Sequence, residues 1–108
     1  MNTDQPLPTI NYPYLEEFLV RLLNTPSPTG FASAAVDLVA AELAGFDNVS
    51  LQRTKKGALL INLAGAAPSG VKRALTAHVD TLGAMVKSIK PSGRLALTNV
   101  GGFAWGSV

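Results

Sequence analysis

The sequence predicts an α/β fold: part of a mixed-sheet domain with packed helices, followed by the start of a small β-rich insert. Three observations carry this. Apolar residues recur at helical spacing from Leu15 to Phe46, the period shortens to two from Asn48 onward, and the run Ala58 to Ala64 is apolar on both faces. A run of that last kind belongs inside a sheet covered on both sides, which calls for helices around it.

The elements follow in order. Residues 1 to 11 read as a loose arm, after which Leu15, Phe18, Leu19, Leu22 and Leu23 line one face of a helix from about Tyr12 to Asn24. Thr25-Pro26-Ser27-Pro28-Thr29-Gly30 stops it, because each Pro lacks a donor and pushes its preceding residue out of the helical region. Ser27 or Thr29 is then available to cap the next helix. Phe31, Ala34, Ala35, Leu38, Val39, Leu43 and Phe46 define that second helix, with Gly45 as its stop.

From Asn48, Val49 and Leu51 alternate with Ser50, Gln52 and Thr54, a strand with one wet face, and Lys55-Lys56-Gly57 turns the chain into the buried return strand. After a loop from Gly65 to Gly70, Val71 to Ala77 reads as a further strand that enters from solvent and becomes buried. Ala84 to Lys90 and Arg94 to Val100 flank Pro91-Ser92-Gly93 as a hairpin, with Gly93 free to take positive φ. Phe103 and Trp105 then fall after Gly101-Gly102, as core or interface residues.

Composition narrows the function classes. The 108 residues are 47% hydrophobic and 15% charged, with ten Gly, seven Pro and no Cys, so the chain is globular and has no disulfide framework or thiolate metal ligand. A formal charge of +2 sits in short clusters, Arg53/Lys55/Lys56, Lys72/Arg73 and Lys87/Lys90/Arg94, with no aromatic residues interleaved for base stacking, so no nucleic-acid partner is expected. Met1 to Pro8 has neither the cationic nor the apolar region of a signal peptide, and the longest apolar stretch is about half a bilayer span. These features predict a cytoplasmic protein without a membrane partner.

The strand from Val71 ends at His78-Val79-Asp80, where polar groups begin, and ligands in open α/β sheets gather beyond the carboxyl ends of strands. His78 is the single histidine, and Asp80, two residues on, projects to the same side of an extended backbone. Such a pair suits a metal ligand held by a carboxylate, a base with its orienter, or a structural histidine at a strand end. Asp37 and Asp47 are possible partners for Asp80 in a carboxylate dyad, with nothing local to bring them near. Glu16, Glu17 and Glu42 read as solvated.

Several stretches in order resemble one family. Thr25-Pro26-Ser27-Pro28-Thr29-Gly30, Lys56-Gly57-Ala58-Leu59, Ala77-His78-Val79-Asp80-Thr81-Leu82-Gly83-Ala84-Met85-Val86, Gly93-Arg94-Leu95 and Gly101-Gly102-Phe103-Ala104-Trp105 are similar to the N-terminal part of the glutamyl and tetrahedral aminopeptidases. These are dinuclear metallopeptidases, and the resemblance runs from about Tyr12 to Val108. It implies a zinc-peptidase-like catalytic α/β domain over 1–83, and over 84–108 the beginning of an inserted β domain used for subunit contacts.

The resemblance further implies that His78 binds one of two divalent ions, zinc or cobalt, while Asp80 is the supporting catalytic group that orients the imidazole. Peptides are the implied substrates and a homo-oligomer the implied assembly. The family's other ligands and its general base match no position here. A site with two or three donors per ion is not completed by one His and a nearby carboxylate, so the 108-residue chain alone is expected to be an inactive segment. Two other readings stand beside this one: an acylase or carboxypeptidase-like metallohydrolase segment, in which the motif usually continues toward Val-Pro, and a non-catalytic assembly or binding module.

Overall fold

In the computed structural model, which describes residues 8–65, 71–104 and 106, two helices precede two β-hairpins. Helix α1 spans Tyr12–Leu23 and α2 spans Ser33–Leu43; strands β1 (Val49–Arg53) and β2 (Leu59–Leu63) form one hairpin, β3 (Gly83–Ile89) and β4 (Leu95–Val100) the other. Helix α1 begins where Asn11 accepts from the Tyr14 amide at 3.2 Å through its side chain, with Pro13 in the first turn, where a missing N–H costs nothing. Its end is closed by Asn24 and Thr25, whose side chains donate to the carbonyls of Val20 (2.8 Å) and Arg21 (2.9 Å).

Helix α2 lies against α1, joined by the ion pair between Arg21 Nη1 and Glu42 Oε2 at 3.0 Å. Glu42 is therefore mostly covered and paired, which corrects its reading as a solvated residue. The capping expectation is also corrected. The N-cap of α2 is Ala32, with no side-chain hydrogen bond, so neither Ser27 nor Thr29 serves the helix.

The first hairpin pairs Val49 with Leu63 through Arg53 with Leu59, all antiparallel, and its turn uses Gly57 at φ 85°. In the second, Gly93 takes φ 79° at the turn, and a register shift between Val86 and Ser88 marks a bulge. Both sheets have two antiparallel strands, so among the described residues the mixed sheet is reduced to the parallel bridge between Pro28 and Thr81.

Two further expectations are corrected. Residues 71–80 form no strand, because no neighbouring strand among the described residues supplies a ladder. β2 is not enclosed: Leu60, Ile61 and Leu63 are exposed, and α2 reaches the hairpin through the ion pair of Asp37 with Arg53 on β1. Among the described residues Ala35 is the fully covered apolar side chain, a small core for so apolar a chain. The expectations for the loop around 66–70 and for Trp105 fall outside the described residues.

Candidate active site

The loop between the helices is where the fold closes on the His-x-Asp segment. Pro26 and Pro28 flank Ser27, and Thr29 with Gly30 at φ 86° forms the turn toward α2, closed by the Phe31 amide donating to the Pro28 carbonyl at 2.7 Å. That stretch lies parallel to Val79–Thr81: the Thr81 amide donates to the Ser27 carbonyl at 2.8 Å, and the Thr29 amide donates to the Thr81 carbonyl at 3.1 Å. Ser27, 3% exposed, donates from Oγ to the Val79 carbonyl at 2.8 Å. A polar group buried this deeply needs such a partner, and it has one.

Asp80 is held from both sides. Thr29 Oγ1 donates to its Oδ2 at 2.7 Å, and its Oδ1 lies 2.8 Å from His78 Nδ1. These two hydrogen bonds, that from Thr29 first, keep the Asp80 carboxyl below the ordinary 3.8. A carboxylate can only accept, so Nδ1 carries the imidazole proton, and the Asp80 carbonyl at 3.2 Å is a second acceptor on the same side. Nε2 has no hydrogen-bond partner among the described residues, and the ring is 83% exposed against 37% for Asp80.

The structure thus brings together His78 and Asp80 and adds Ser27 and Thr29, residues whose spacing suits a helix cap or the border of a substrate cleft. The signal in the sequence is two hydroxyls two residues apart in a loop that Pro26 and Pro28 stiffen. Asp37 is elsewhere, paired with Arg53, and Asp47 lies in the turn before β1, so neither forms a dyad with Asp80.

The class of protein that the chain is similar to comes first: the peptidases. Residues 57–108 match the family model of M42 glutamyl aminopeptidase, a stretch that contains His78 and Asp80. The chain is also 42% identical over 92 residues, 85% of its length, to a Bacillus subtilis (strain 168) protein described as "Putative aminopeptidase YhfE". It spans about a quarter (26%) of that relative's length. Together the family match and this relative support an M42 aminopeptidase segment.

M42 peptidases are generally metal-dependent, and the donors present can be tested against that requirement. His78 offers Nε2 with its other nitrogen tied to a carboxylate, the arrangement usual for a ligating imidazole. Both Asp80 oxygens already accept hydrogen bonds. No group of three or more His, Cys, Asp or Glu that could hold an ion occurs among the described residues. The described residues therefore fit one ligand position and its support, and leave the other positions unfilled. No described helix is long and apolar enough to cross a membrane.

Proposed function

We propose that this chain contributes to a metal-dependent aminopeptidase that removes N-terminal residues from peptides. In this reading His78 is a donor to one of two divalent ions, zinc or cobalt. The observation that carries it is the bond between His78 Nδ1 and Asp80 Oδ1 at 2.8 Å, in a stretch that matches the M42 family. Asp80 fixes the ring's tautomer and raises its basicity without filling a ligand position. When bound, such ions supply a water of lowered pKa and polarise the scissile carbonyl.

The protein's own contribution here is orientation. His78 is mostly exposed, so its rotamer is restrained by Asp80 and by the backbone from which it projects, with little packing around the ring. With one histidine and no further donor cluster among the described residues, the 108 residues alone do not complete the site and are inactive in this reading. Exposed Met85, Val86, Ile89, Leu95 and Leu97 on the second hairpin support its use in contacts between copies, with the segment from residue 84 as the beginning of an inserted domain after the catalytic portion 1–83. The cysteine-free composition suits the cytoplasm.

The test uses a full-length aminopeptidase containing this segment. Chelation should abolish peptide hydrolysis and zinc or cobalt should restore it, while His78→Ala should lower both bound metal and kcat by about a hundredfold or more, on the scale of lost metal ligands and their supports. Metal-independent hydrolysis overturns the reading. Unchanged metal content in His78→Ala overturns the role of His78, and a full-length protein with neither metal nor hydrolysis favours the non-catalytic module.

A further inference from the structure

We infer that Thr29 is a positioning residue for His78: its hydroxyl pins the Asp80 carboxylate, and the pinned carboxylate holds the imidazole as its Nδ1–H tautomer with Nε2 as the free lone pair. Thr29, 51 positions from Asp80, is brought to it by the docked loop. Its hydroxyl has one proton, and Asp80 Oδ2 at 2.7 Å competes with the Thr81 carbonyl at 3.4 Å. The shorter, charge-assisted bond takes that proton.

The pin matters because the pair it serves is exposed. The terminal torsion of an aspartate is broad, so a carboxylate with one hydrogen bond can turn either oxygen, or neither, toward a neighbour. An exposed pair of ionisable groups gains little by itself in water, and His78 is 83% exposed. Fixing Oδ2 leaves Oδ1 aimed at Nδ1, at 2.8 Å. Thr29 can do this because its own position is set elsewhere. Its amide is bonded to the Thr81 carbonyl, the Thr81 amide to the Ser27 carbonyl, and its branched side chain has few χ1 choices.

That Nε2 serves a metal rests on the aminopeptidase reading; the tautomer does not, and it is read with no metal or substrate present. The chain has one histidine, so a long-range 1H–15N correlation spectrum of the 108-residue protein contains one imidazole. The spectrum is recorded on the neutral imidazole, whose two nitrogens report the tautomer directly. The wild type and Thr29→Ser, which keeps the hydroxyl, should both show Nδ1 protonated and Nε2 bare. In Thr29→Val the Nε2–H fraction should rise by about threefold or more as the carboxylate is released.

Ser27→Ala separates this role from a merely structural one. It loosens the same docked loop but leaves the Thr29 hydroxyl in place, so Nδ1–H should persist while exchange of the Thr81 amide quickens. A wild type already in the Nε2–H form overturns the proposal, as does a Thr29→Val spectrum equal to the wild type. Loss of Nδ1–H in Thr29→Ser, or as large a shift in Ser27→Ala as in Thr29→Val, overturns it too. None of these outcomes depends on metal binding, so the tautomer and the aminopeptidase reading fail separately.

Discussion

Pro28 and Gly83 meet so closely that a β-carbon on Gly83 would lie 2.8 Å from the Pro28 Cβ, well inside van der Waals contact. The approach is permitted by the absence of a side chain, and it lets the parallel bridge between Pro28 and Thr81 form two residues upstream of β3. Proline cannot swing aside as a flexible side chain would. Gly83→Ala should therefore lift the loop from the His78 segment.

The expected cost is about 1–3 kcal/mol, that of overpacking a closed contact, with faster exchange of the Thr81 amide. Gly102→Ala is the control, because nothing lies within 4 Å of its β-carbon position and its φ is not positive. Urea titration of both variants checks this. Equal stability of the two would mean that the Pro28 contact yields freely.

Ser27→Ala should cost about 1–3 kcal/mol, since it leaves the Val79 carbonyl without its hydroxyl partner beneath a buried position. The loss should be read as a lower urea midpoint with an unchanged slope. A change within a few tenths of a kcal/mol would show that water replaces the hydroxyl at that carbonyl.

The ion pair between the helices should matter less. Arg21 and Glu42 have side chains 46% and 18% exposed, and Arg21 also lies 5.8 Å from the Phe18 ring centroid. Arg21→Ala is expected to destabilise by about 1 kcal/mol or less, and added salt should shrink the difference from wild type. A larger loss that salt leaves unchanged would assign the effect to packing of the Arg21 stem on Phe18.

Tyr14 carries a pH dependence. Glu42 raises its phenol above the ordinary 10.0, through a hydrogen bond first, with desolvation and the Glu42 charge adding to it. The folded chain holds the phenolic proton more tightly than the unfolded chain, so this contribution to stability is whole below about pH 10 and is lost as pH rises through the raised value. Thermal melts from neutral pH into the alkaline range should fall more steeply for wild type than for Tyr14→Phe. Parallel curves would show that Glu42 does not act on the phenol in solution.

Much of the local structure was legible from spacing. The face Leu15, Phe18, Leu19, Leu22 describes α1, Pro26 and Pro28 mark its end, and Gly57 and Gly93 sit at the two hairpin turns with positive φ. These are short-range signals: periodicity, missing donors and tolerance of positive φ act within a few residues. The pairing of His78 with Asp80 was legible for the same reason, being a distance of two along an extended backbone.

By itself, then, the sequence determined where helices and hairpins form and which two polar residues stand together at the segment before β3. Tertiary structure alone decided what the loop hydroxyls do. Ser27 and Thr29 have the chemistry of helix caps, yet α2 starts at Ser33 without them, and they bond instead to Val79 and Asp80 across more than fifty positions. The same holds for residues 71–77, whose pattern suits a strand but which have no strand beside them among the described residues. A hydroxyl or a strand-like run states what it can bond to; which partner it meets depends on how distant segments are brought together, and no local spacing records that.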